Sequence, residues 1–473
     1  MEGRVNENIM VSHPLLENEL EANGKNNSTK EGNSSFFEAF FNGLNALSAM
    51  EGVMVSLSHP LLENENENEW EVNHKHSTNE GDSSFFKALF NGLNALSGVG
   101  ILSVPYALAS GGWLSLILIF IVVTAAFYTG LLIKRCMEAD SSIRTYPDIG
   151  ERAFGKIGRT ITSVFMCTEL YLVVTGFLIL EGDNLHNLFP GLKLETSWLQ
   201  LGGRESFVLL IALIILPSVW LDNLSILSYI SATGVLASVV IIVSILCVGT
   251  FDEIGFHSKG DLLNWSGIPT SVSLYGFCYC AHPVFPTLYN SMQKKHQFSK
   301  VLLLCFLCST IGYASMAIIG YLMYGSEVES QITLNLPTDK MFSKIAIYTT
   351  LVNPLSKYAL MLEPVVNSTE SWFPNHHKKK HFKLVLRTSL VATQVIVALV
   401  VPFFGYLMSL VGAFLSITAS ITLPCLCYIK ISGNYMRGEG LLVVATVVLS
   451  VLIAIYGTYT SLVQIIQGTV VNL

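Results

Sequence analysis

The stretch NGLNALSGVGILSVP, residues 91–105, decides the fold because it is apolar enough for a membrane span and yet resists forming one continuous helix. It places three Gly, two Asn, two Ser and a Pro in a single crossing. Each Gly weakens a helix by about 1 kcal/mol relative to Ala, and Pro by about 3 kcal/mol. The sequence therefore predicts a helix break around 97–100. At membrane depth such a break survives only inside the protein or beside a watery cavity.

This stretch begins the first of about eleven apolar runs, each close to the roughly 20 helical residues that cross a bilayer core. Hydrophobic residues make up 51% of the 473 residues, charged residues make up 13%, and the mean hydropathy is +0.53. This composition predicts an all-α polytopic membrane protein. The predicted spans cover residues 88–110, 113–134, 158–181, 206–222, 226–250, 267–290, 300–323, 342–363, 384–404, 407–429 and 440–466.

The sixth predicted span has the same character as the first. It reads SVSLYGFCYCAHPVFP over residues 271–286, which is polar, contains Gly and is interrupted by Pro. Two interrupted spans at matched positions point to a transporter built of two inverted five-helix repeats. Half-helix N-termini attract a carboxylate and the opposite ends suit an ammonium group, and an amino acid carries both. The alternative is that Gly and Pro serve only close helix packing.

The unwound centres of these two spans are the predicted substrate site. An unwound backbone offers N–H and C=O groups that no helix uses. The residues assigned to the site are Asn94, Ser97, Gly98, Val99, Gly100 and Ile101 in the first span and Ser273, Tyr275, Gly276 and Phe277 in the sixth.

Three ionisable residues at membrane depth are candidates for proton coupling, because such groups are costly inside a bilayer. Glu169 and Glu181 flank a run in the third span, and the helical rise separates them by about 18 Å. Histidine titrates near neutrality, which makes His282 in the sixth span the third candidate. For each Glu the alternative is a structural hydrogen bond to a neighbouring helix. For His282 it is a hydrogen-bonded role beside Pro283.

Several motifs together resemble the amino acid/auxin permease family, and most closely its vacuolar amino-acid transporter branch in plants and fungi. They are FNGLNALSGVGILSVPYALASGGW (90–113), TYPDIGERAFGKIGR (145–159), ELYLVVTGFLILEGDNL (169–185), FCYCAHPVFPTLYNSM (277–292) and GYLMYG (320–325). The similarity runs from about Ser83 to the C-terminus. The resemblance implies a LeuT-like fold, a 5+5 inverted repeat plus one extra helix. It also implies proton-linked transport of neutral amino acids without a cofactor, often in the vacuolar membrane.

The eighth predicted span adds polar groups whose role stays open. In LeuT-type folds this span can hold a cation, and Thr349, Thr350 and Asn353 offer oxygens there. Lys357 lies deeper than Glu363 and is expected to pair with an acid that the sequence does not identify. Glu363 is expected to reach the cytosolic edge of the membrane.

Residues 1–82 predict a disordered, acidic cytosolic tail ahead of a transmembrane domain that covers residues 83–473. Residues 1–87 contain 15 Asp and Glu against 5 Lys and Arg. The segment 12–48 recurs as 58–97, which indicates a tandem duplication and leaves Met1, Met50 and Met54 open as the true start.

The charge distribution predicts the orientation. If the N-terminus is cytosolic, the loops on the cytosolic face carry sixteen Lys and Arg, and those on the opposite face carry five. Positive residues favour the cytosolic side, so the N-terminus is predicted to lie inside.

The leading functional hypothesis is a secondary active transporter of neutral amino acids in the vacuolar membrane, working by alternating access on a proton gradient. Its expected partners are the amino-acid substrate, the lipid bilayer and protons, with no nucleic acid; protein partners of the tail are unknown. The alternative is an amino-acid sensor of the same fold that signals through the tail. An enzyme is not expected, because paired catalytic carboxylates, metal-spaced His clusters and a nucleophile elbow are missing from the sequence. A channel is disfavoured because no repeated filter segment appears.

Overall fold

The computed structural model describes residues 83–191, 195–196, 199–200, 202–220, 227–252, 254–371, 380–401, 403–433 and 437–471. The predictions for residues 1–82 lie outside this part of the chain. Within it the fold is helical, apart from one short hairpin in which β1 (Glu195–Thr196) pairs antiparallel with β2 (Leu199–Gln200).

Each predicted span overlaps one α-helix or a pair of them. In chain order the α-helices are α1 (Phe85–Leu96), α2 (Gly100–Gly111), α3 (Leu116–Ala139), α4 (Tyr146–Leu188), α5 (Gly203–Val219), α6 (Leu227–Phe251), α7 (Ile268–Cys278), α8 (Phe285–Ser291), α9 (Phe298–Tyr324), α10 (Met341–Ser371), α11 (Lys380–Val400), α12 (Phe404–Leu410), α13 (Leu423–Ser432) and α14 (Arg437–Val471).

Membrane crossing is supported by length and composition. Among the described residues, seven helical segments are long and apolar enough to cross a bilayer, and the bent pair α1–α2 raises the number to eight. The helices α5, α7 and α8 have 17, 11 and 7 residues, which is short for an unaided crossing. The polytopic helical fold is therefore confirmed, whereas the count of eleven and the cytosolic N-terminus stay predictions.

The long helix α4 consists of two segments. It begins with a capping box between Thr145 and Asp148, and it departs from helical geometry at Phe154 and Gly155, where Gly155 has φ +66°. A positive φ is strained for residues with a side chain, which explains why Gly occupies the kink. The second segment contains Glu169 and Glu181, so both carboxyl groups lie on one continuous rod.

The tenth predicted span is not a regular α-helix. Between α12 and α13 it forms two π-helical segments, Val411–Ser416 and Thr418–Thr422. Short π-helical stretches frequently mark functional positions. Here they coincide with the closest approach to α7, because a β-carbon added at Gly412 would lie 1.9 Å from the Ser273 carbonyl oxygen.

Candidate functional site

The first helix break lies where the sequence predicts it. Helix α1 ends at Leu96, α2 begins at Gly100, and the two axes meet at 50°. Ser97 between them has φ −77° and ψ 70°, which is outside the helical region. The Gly-rich stretch therefore produces the expected interruption at a depth where Val99 and Gly100 are buried.

The second break lies a few residues later than expected. Helix α7 continues to Cys278, and a 3₁₀ turn over His282–Val284 precedes α8. A proline at position 283 cannot donate to the carbonyl of Tyr279, and one at 286 cannot donate to that of His282. The prolines thus set the position of the break.

This position corrects the expectation that the sixth-span site residues lie in an unwound segment, whereas their role in substrate binding stays a prediction. Ser273, Tyr275, Gly276 and Phe277 lie inside regular helix and not in an unwound centre. Gly276 serves close packing instead, since an added β-carbon would lie 3.0 Å from Cγ1 of Ile417 in the tenth span. Ser273 and Tyr275 are buried, whereas Phe277 is partly buried.

The two breaks lie against each other. A β-carbon added at Gly100 would lie 2.7 Å from Sγ of Cys278, so the start of α2 touches the end of α7. Tyr313 of α9 joins them from a third side: its hydroxyl hydrogen-bonds the Leu96 carbonyl and lies 3.3 Å from the Cys278 carbonyl oxygen. These are the last residues of α1 and α7. A single sequence gave no signal for Tyr313, which is one of several buried tyrosines.

Gly98 is the residue of the first break with room beside it. A β-carbon added there would have no neighbour closer than the Gly100 nitrogen at 4.0 Å. Ser97 is also partly exposed, while Asn94 on α1 and Ile101 on α2 are buried. The open space of the predicted first-span site therefore lies at Gly98.

Glu169 belongs to a polar cluster at the second break. Its Oε1 accepts hydrogen bonds from Cys280 Sγ at 2.8 Å and from Ser416 Oγ at 2.5 Å. Ser420 Oγ in turn donates to Cys280 Sγ at 2.9 Å. The carboxyl group thus connects the third span, the broken sixth span and the π-helical tenth span. The role of Glu169 in proton coupling stays a prediction.

Glu181 has a different environment. Its side chain is fully buried, and neither carboxyl oxygen has a hydrogen-bond partner among the described residues. A carboxyl group in such surroundings costs least when it carries a proton, because an unpaired buried charge is strongly unfavourable. Glu181 therefore stays a candidate for holding a proton, separate from the cluster of Glu169.

His282 contacts the second span. Its Nε2 lies 2.9 Å from Thr129 Oγ1 and 2.9 Å from the Ala126 carbonyl oxygen, both on α3. The ring also packs on Phe285, with centroids 4.8 Å apart. These contacts correspond to the hydrogen-bonded alternative, in which the histidine fastens the second break to α3. The three proton-coupling candidates thus contact different helices.

The eighth span reaches the first break through Lys357. Its Nζ donates to the Ser97 carbonyl oxygen at 3.0 Å, and only 7% of the residue is exposed. Among the described residues, no carboxylate oxygen lies within 4.0 Å of Nζ, so the expected pairing with an acid is not observed. Glu363, one turn and a half further on, pairs with Arg387 at 3.0 Å.

Two charged clusters lie near the ends of α4. At one end Arg204 Nε donates to Asp183 Oδ1 at 2.5 Å, and Gln331 bridges Asp183 and Asn184 at 2.8 Å each. This cluster ties α4 to α5 and to the loop after α9. The sequence offered no spacing from which it could be predicted.

At the other end, Asp140 accepts a hydrogen bond from Ser142 and pairs with Arg152 at 2.6 Å. The hydrogen bonds from Ser142, followed by the contact with Arg152, hold the pKa of Asp140 below its usual value. Arg152 helps to line a cleft of about 370 Å³ that Arg159 also borders. This cleft is separate from the helix breaks.

The comparison with protein families agrees with this architecture. The family described as "Transmembrane amino acid transporter protein" matches residues 81–463. Amino acid transporter AVT1I of Arabidopsis thaliana is 61% identical over 372 residues, covering 78% of this chain and 92% of that protein. Amino acid transporter AVT1J of the same plant is 58% identical over 369 residues, covering 76% and 86%.

Two solved structures share the fold at low sequence identity. MhsT in complex with L-phenylalanine has a TM-score of 0.53 at 11% identity, covering 81% of this chain and 100% of that one. A substrate-bound, outward-open Na⁺-coupled sialic acid symporter has a TM-score of 0.50 at 13% identity, covering 90% and 97%. These likenesses show the LeuT-like fold alone. The family match and the two plant relatives establish that the chain belongs to the amino acid/auxin permease family of transmembrane amino acid transporters.

Proposed function

We propose that this protein is a secondary active transporter that moves neutral amino acids across the vacuolar membrane by alternating access, driven by a proton gradient. Family membership supports an amino acid transporter and not an enzyme. The substrate class, the proton coupling and the membrane are the parts we add. The vacuolar location is proposed because the motifs of the chain resemble the vacuolar branch of the family.

The observation that carries the proposal is the contact between the two helix breaks at Gly100 and Cys278. At the start of α2 the N–H groups of Ile101 and Leu102 donate to the carbonyls of Gly98 and Val99, which leaves the N–H of Gly100 at the tip of the helix, and the end of α7 presents carbonyl groups. The first attracts a carboxylate and the second an ammonium group. Because these ends lie side by side at a buried site, they match the two charges of one zwitterion.

The surroundings favour a substrate with a neutral side chain. The residues on either side of Gly98 in the chain, Ser97 and Val99, carry no charge. The cationic side chain that contacts this break, Lys357, donates a hydrogen bond to the Ser97 carbonyl oxygen. A charged substrate side chain would need an opposite charge in the site to offset its desolvation.

Proton coupling is proposed on the position of Glu169. As a carboxylate it accepts from Cys280 and Ser416, and a proton on its Oε1 would turn one acceptor into a donor. Protonation therefore rearranges hydrogen bonds between the broken sixth span and the tenth span. Glu181 is the second proposed proton site, since its carboxyl group is fully buried without a donor among the described residues.

The proposal is tested by uptake of labelled neutral amino acids into vesicles that contain the purified protein, with an imposed pH gradient. We expect accumulation that a protonophore abolishes. Uptake that is unaffected by collapse of the gradient would rule out proton coupling. Running the gradient in both directions shows whether the protein loads or empties the acidic compartment.

The site itself is tested by Gly98→Leu. The added side chain enters open space, so we expect the variant to keep the wild-type melting temperature and to lose transport because it fills the substrate position. Gly438→Leu is the matched control, since Gly438 also has no neighbour within 4 Å and lies far along the chain in α14. Wild-type uptake by Gly98→Leu would refute the site.

A sensor of the same fold remains the second candidate, and one observation favours it. The Ser83 nitrogen donates to the Ser291 carbonyl oxygen at 2.8 Å, and Gln293 N donates to the Ser83 carbonyl at 3.1 Å. The predicted tail thus joins the domain at the end of the sixth span. Amino-acid binding with thermal stabilisation but without uptake would support the sensor over the transporter.

A further inference from the structure

We propose that the ammonium group of Lys357 acts as the cation of the transport cycle, in the place where a bound ion could otherwise sit. Its ammonium group braces α10 against the first helix break, and release of its proton frees that break. The inference deepens the proposed function, because it assigns one coupling proton to the lysine. It stands on the position of the side chain and on the oxygens around it.

The ammonium group replaces a missing helical hydrogen bond. In a continuous helix the Ser97 carbonyl would accept from the N–H of Ile101. That N–H instead faces the Gly98 carbonyl oxygen at 3.4 Å, and Nζ of Lys357 donates to the Ser97 oxygen at 3.0 Å. The lysine therefore directly stabilises the interrupted backbone at Ser97, where the helical hydrogen bond is missing.

A glycine on α6 makes room for this arrangement. A β-carbon added at Gly234 would lie 3.1 Å from Cε of Lys357 and 2.0 Å from Oδ1 of Asn94. The Asn94 oxygen is buried and accepts no hydrogen bond from the described residues. An ammonium group has three donors, so this unpaired oxygen is available as a second acceptor, although Nζ does not bond it in this structure.

The charge of the lysine has no fixed counter-charge nearby. Among the described residues, the carboxylates on the neighbouring helices are either engaged elsewhere or do not come within 4.0 Å of Nζ. The lysine contacts the Ser97 carbonyl just after α1, and its Cε lies beside Gly234 of α6, which Asn94 Oδ1 also approaches. On the helices packed against α10, from residue 167 of α4 onwards, the titratable groups include Glu169 (with Cys280 and Ser416), Glu181, Cys167 (with Ser368), Tyr171, His186, Arg204 (with Asp183), Glu205, Cys247, His381, Lys383 (with Glu370) and Arg387 (with Glu363). The first segment of α4 adds Tyr146, Asp148, Glu151, Arg152, Lys156 and Arg159.

A buried ammonium group without a counter-charge is costly, so it is held only as long as the Ser97 carbonyl oxygen accepts a hydrogen bond from it. When the break changes shape and the Ser97 oxygen turns away, one N–H bond of the ammonium group breaks. The proton passes to a water molecule on the open side and forms hydronium, and the electron pair stays on the neutral amine. Reprotonation from the other side of the membrane restores the brace. One cycle thus moves one proton with each opening and closing of the break.

The experiment uses three variants of the full chain in vesicles. Lys357→Met keeps the length of the side chain without charge. Lys357→Arg keeps a charge that is not released at any pH of the assay. Lys344→Met is the control, because Lys344 is an exposed residue on the same helix. Each protein is measured for accumulation under a pH gradient and for counterflow, the exchange of labelled against unlabelled amino acid without a gradient.

We expect wild type and Lys344→Met to show both activities. Lys357→Met and Lys357→Arg should retain counterflow, while their accumulation falls to the level seen with a protonophore. Protonophore-sensitive accumulation at the wild-type level in Lys357→Met overturns the inference. So does a folded Lys357→Met that loses counterflow together with accumulation, because this indicates a binding or structural role.

If Lys357→Met elutes as aggregate in size-exclusion chromatography, Lys357→Arg decides. Its accumulation under a pH gradient at the wild-type level overturns the inference, and loss of accumulation with retained counterflow supports it. Failure of the proposed function is recognised separately, because wild type would then show no counterflow with any neutral amino acid. Wild-type counterflow together with unimpaired lysine variants refutes only the role of Lys357.

Discussion

The contact between the two helix breaks makes a quantitative prediction at Gly100. In Gly100→Ala the new β-carbon would lie 2.7 Å from Cys278 Sγ and 3.4 Å from Cys278 Cα. The sulfur therefore has to move by several tenths of an ångström, and crowding of this kind costs about 1–3 kcal/mol. The helix propensity of Ala over Gly returns at most about 1 kcal/mol. We expect a net destabilisation and a loss of transport.

Removing the sulfur should reverse the effect. In Gly100→Ala/Cys278→Ala the nearest remaining atoms are Cα and Cβ of residue 278, at 3.4 and 3.5 Å, which are ordinary contacts. Cys278→Ala alone leaves a small void and should cost about 1 kcal/mol. The double variant fills that void, so it should be more stable than Gly100→Ala and close to wild type.

The assay is a double-mutant cycle with thermal unfolding and amino-acid uptake measured on the same preparations. Gly438→Ala is the control, because its β-carbon has no neighbour within 4 Å and Gly438 lies outside the helix breaks. The reasoning is refuted if Gly100→Ala unfolds at the wild-type temperature and transports normally. It also fails if the double variant is no more stable than Gly100→Ala.

The remaining predictions concern two other contacts. Glu169→Gln keeps the shape of the side chain but cannot exchange a proton. Uptake should therefore lose its dependence on the pH gradient while counterflow persists. Unchanged pH dependence would remove Glu169 from the coupling mechanism. Gly412→Ala should lower the melting temperature strongly, because its β-carbon would lie 1.9 Å from the Ser273 carbonyl oxygen. Gly312→Ala is the control and should not lower it, because the nearest neighbour of its β-carbon is at 3.6 Å. Equal melting temperatures of the two variants would contradict this packing argument.

The first helix break was predictable from local chemistry. Three Gly and a Pro within residues 91–105 weaken the helix wherever the segment folds, and the interruption at Ser97 follows. The second break was predicted less accurately, because Gly276 was given more weight than the prolines. A glycine only permits a break, whereas Pro283 removes a hydrogen bond and enforces one.

The partners of the site residues could not be predicted, because they depend on the register between helices. The sequence identified Glu169 as deep in the membrane, but Ser416 and Cys280 reach it from spans distant in the chain. Lys357 could be recognised as a buried charge, whereas its contact with the Ser97 carbonyl depends on the placement of α10 against α1. The π-helical segments of the tenth span also leave no clear mark on the apolar pattern.

The backbone pairing of Ser83 with Ser291 and Gln293 has a mechanical consequence. Tension, a bound protein or a covalent modification on the preceding residues would be transmitted to the end of α8 without crossing the bilayer. Ser83 is followed almost directly by α1, so a force on the preceding residues acts on both broken helices together. The attachment at Ser83 thus couples the residues that precede it to the conformation of both helix breaks.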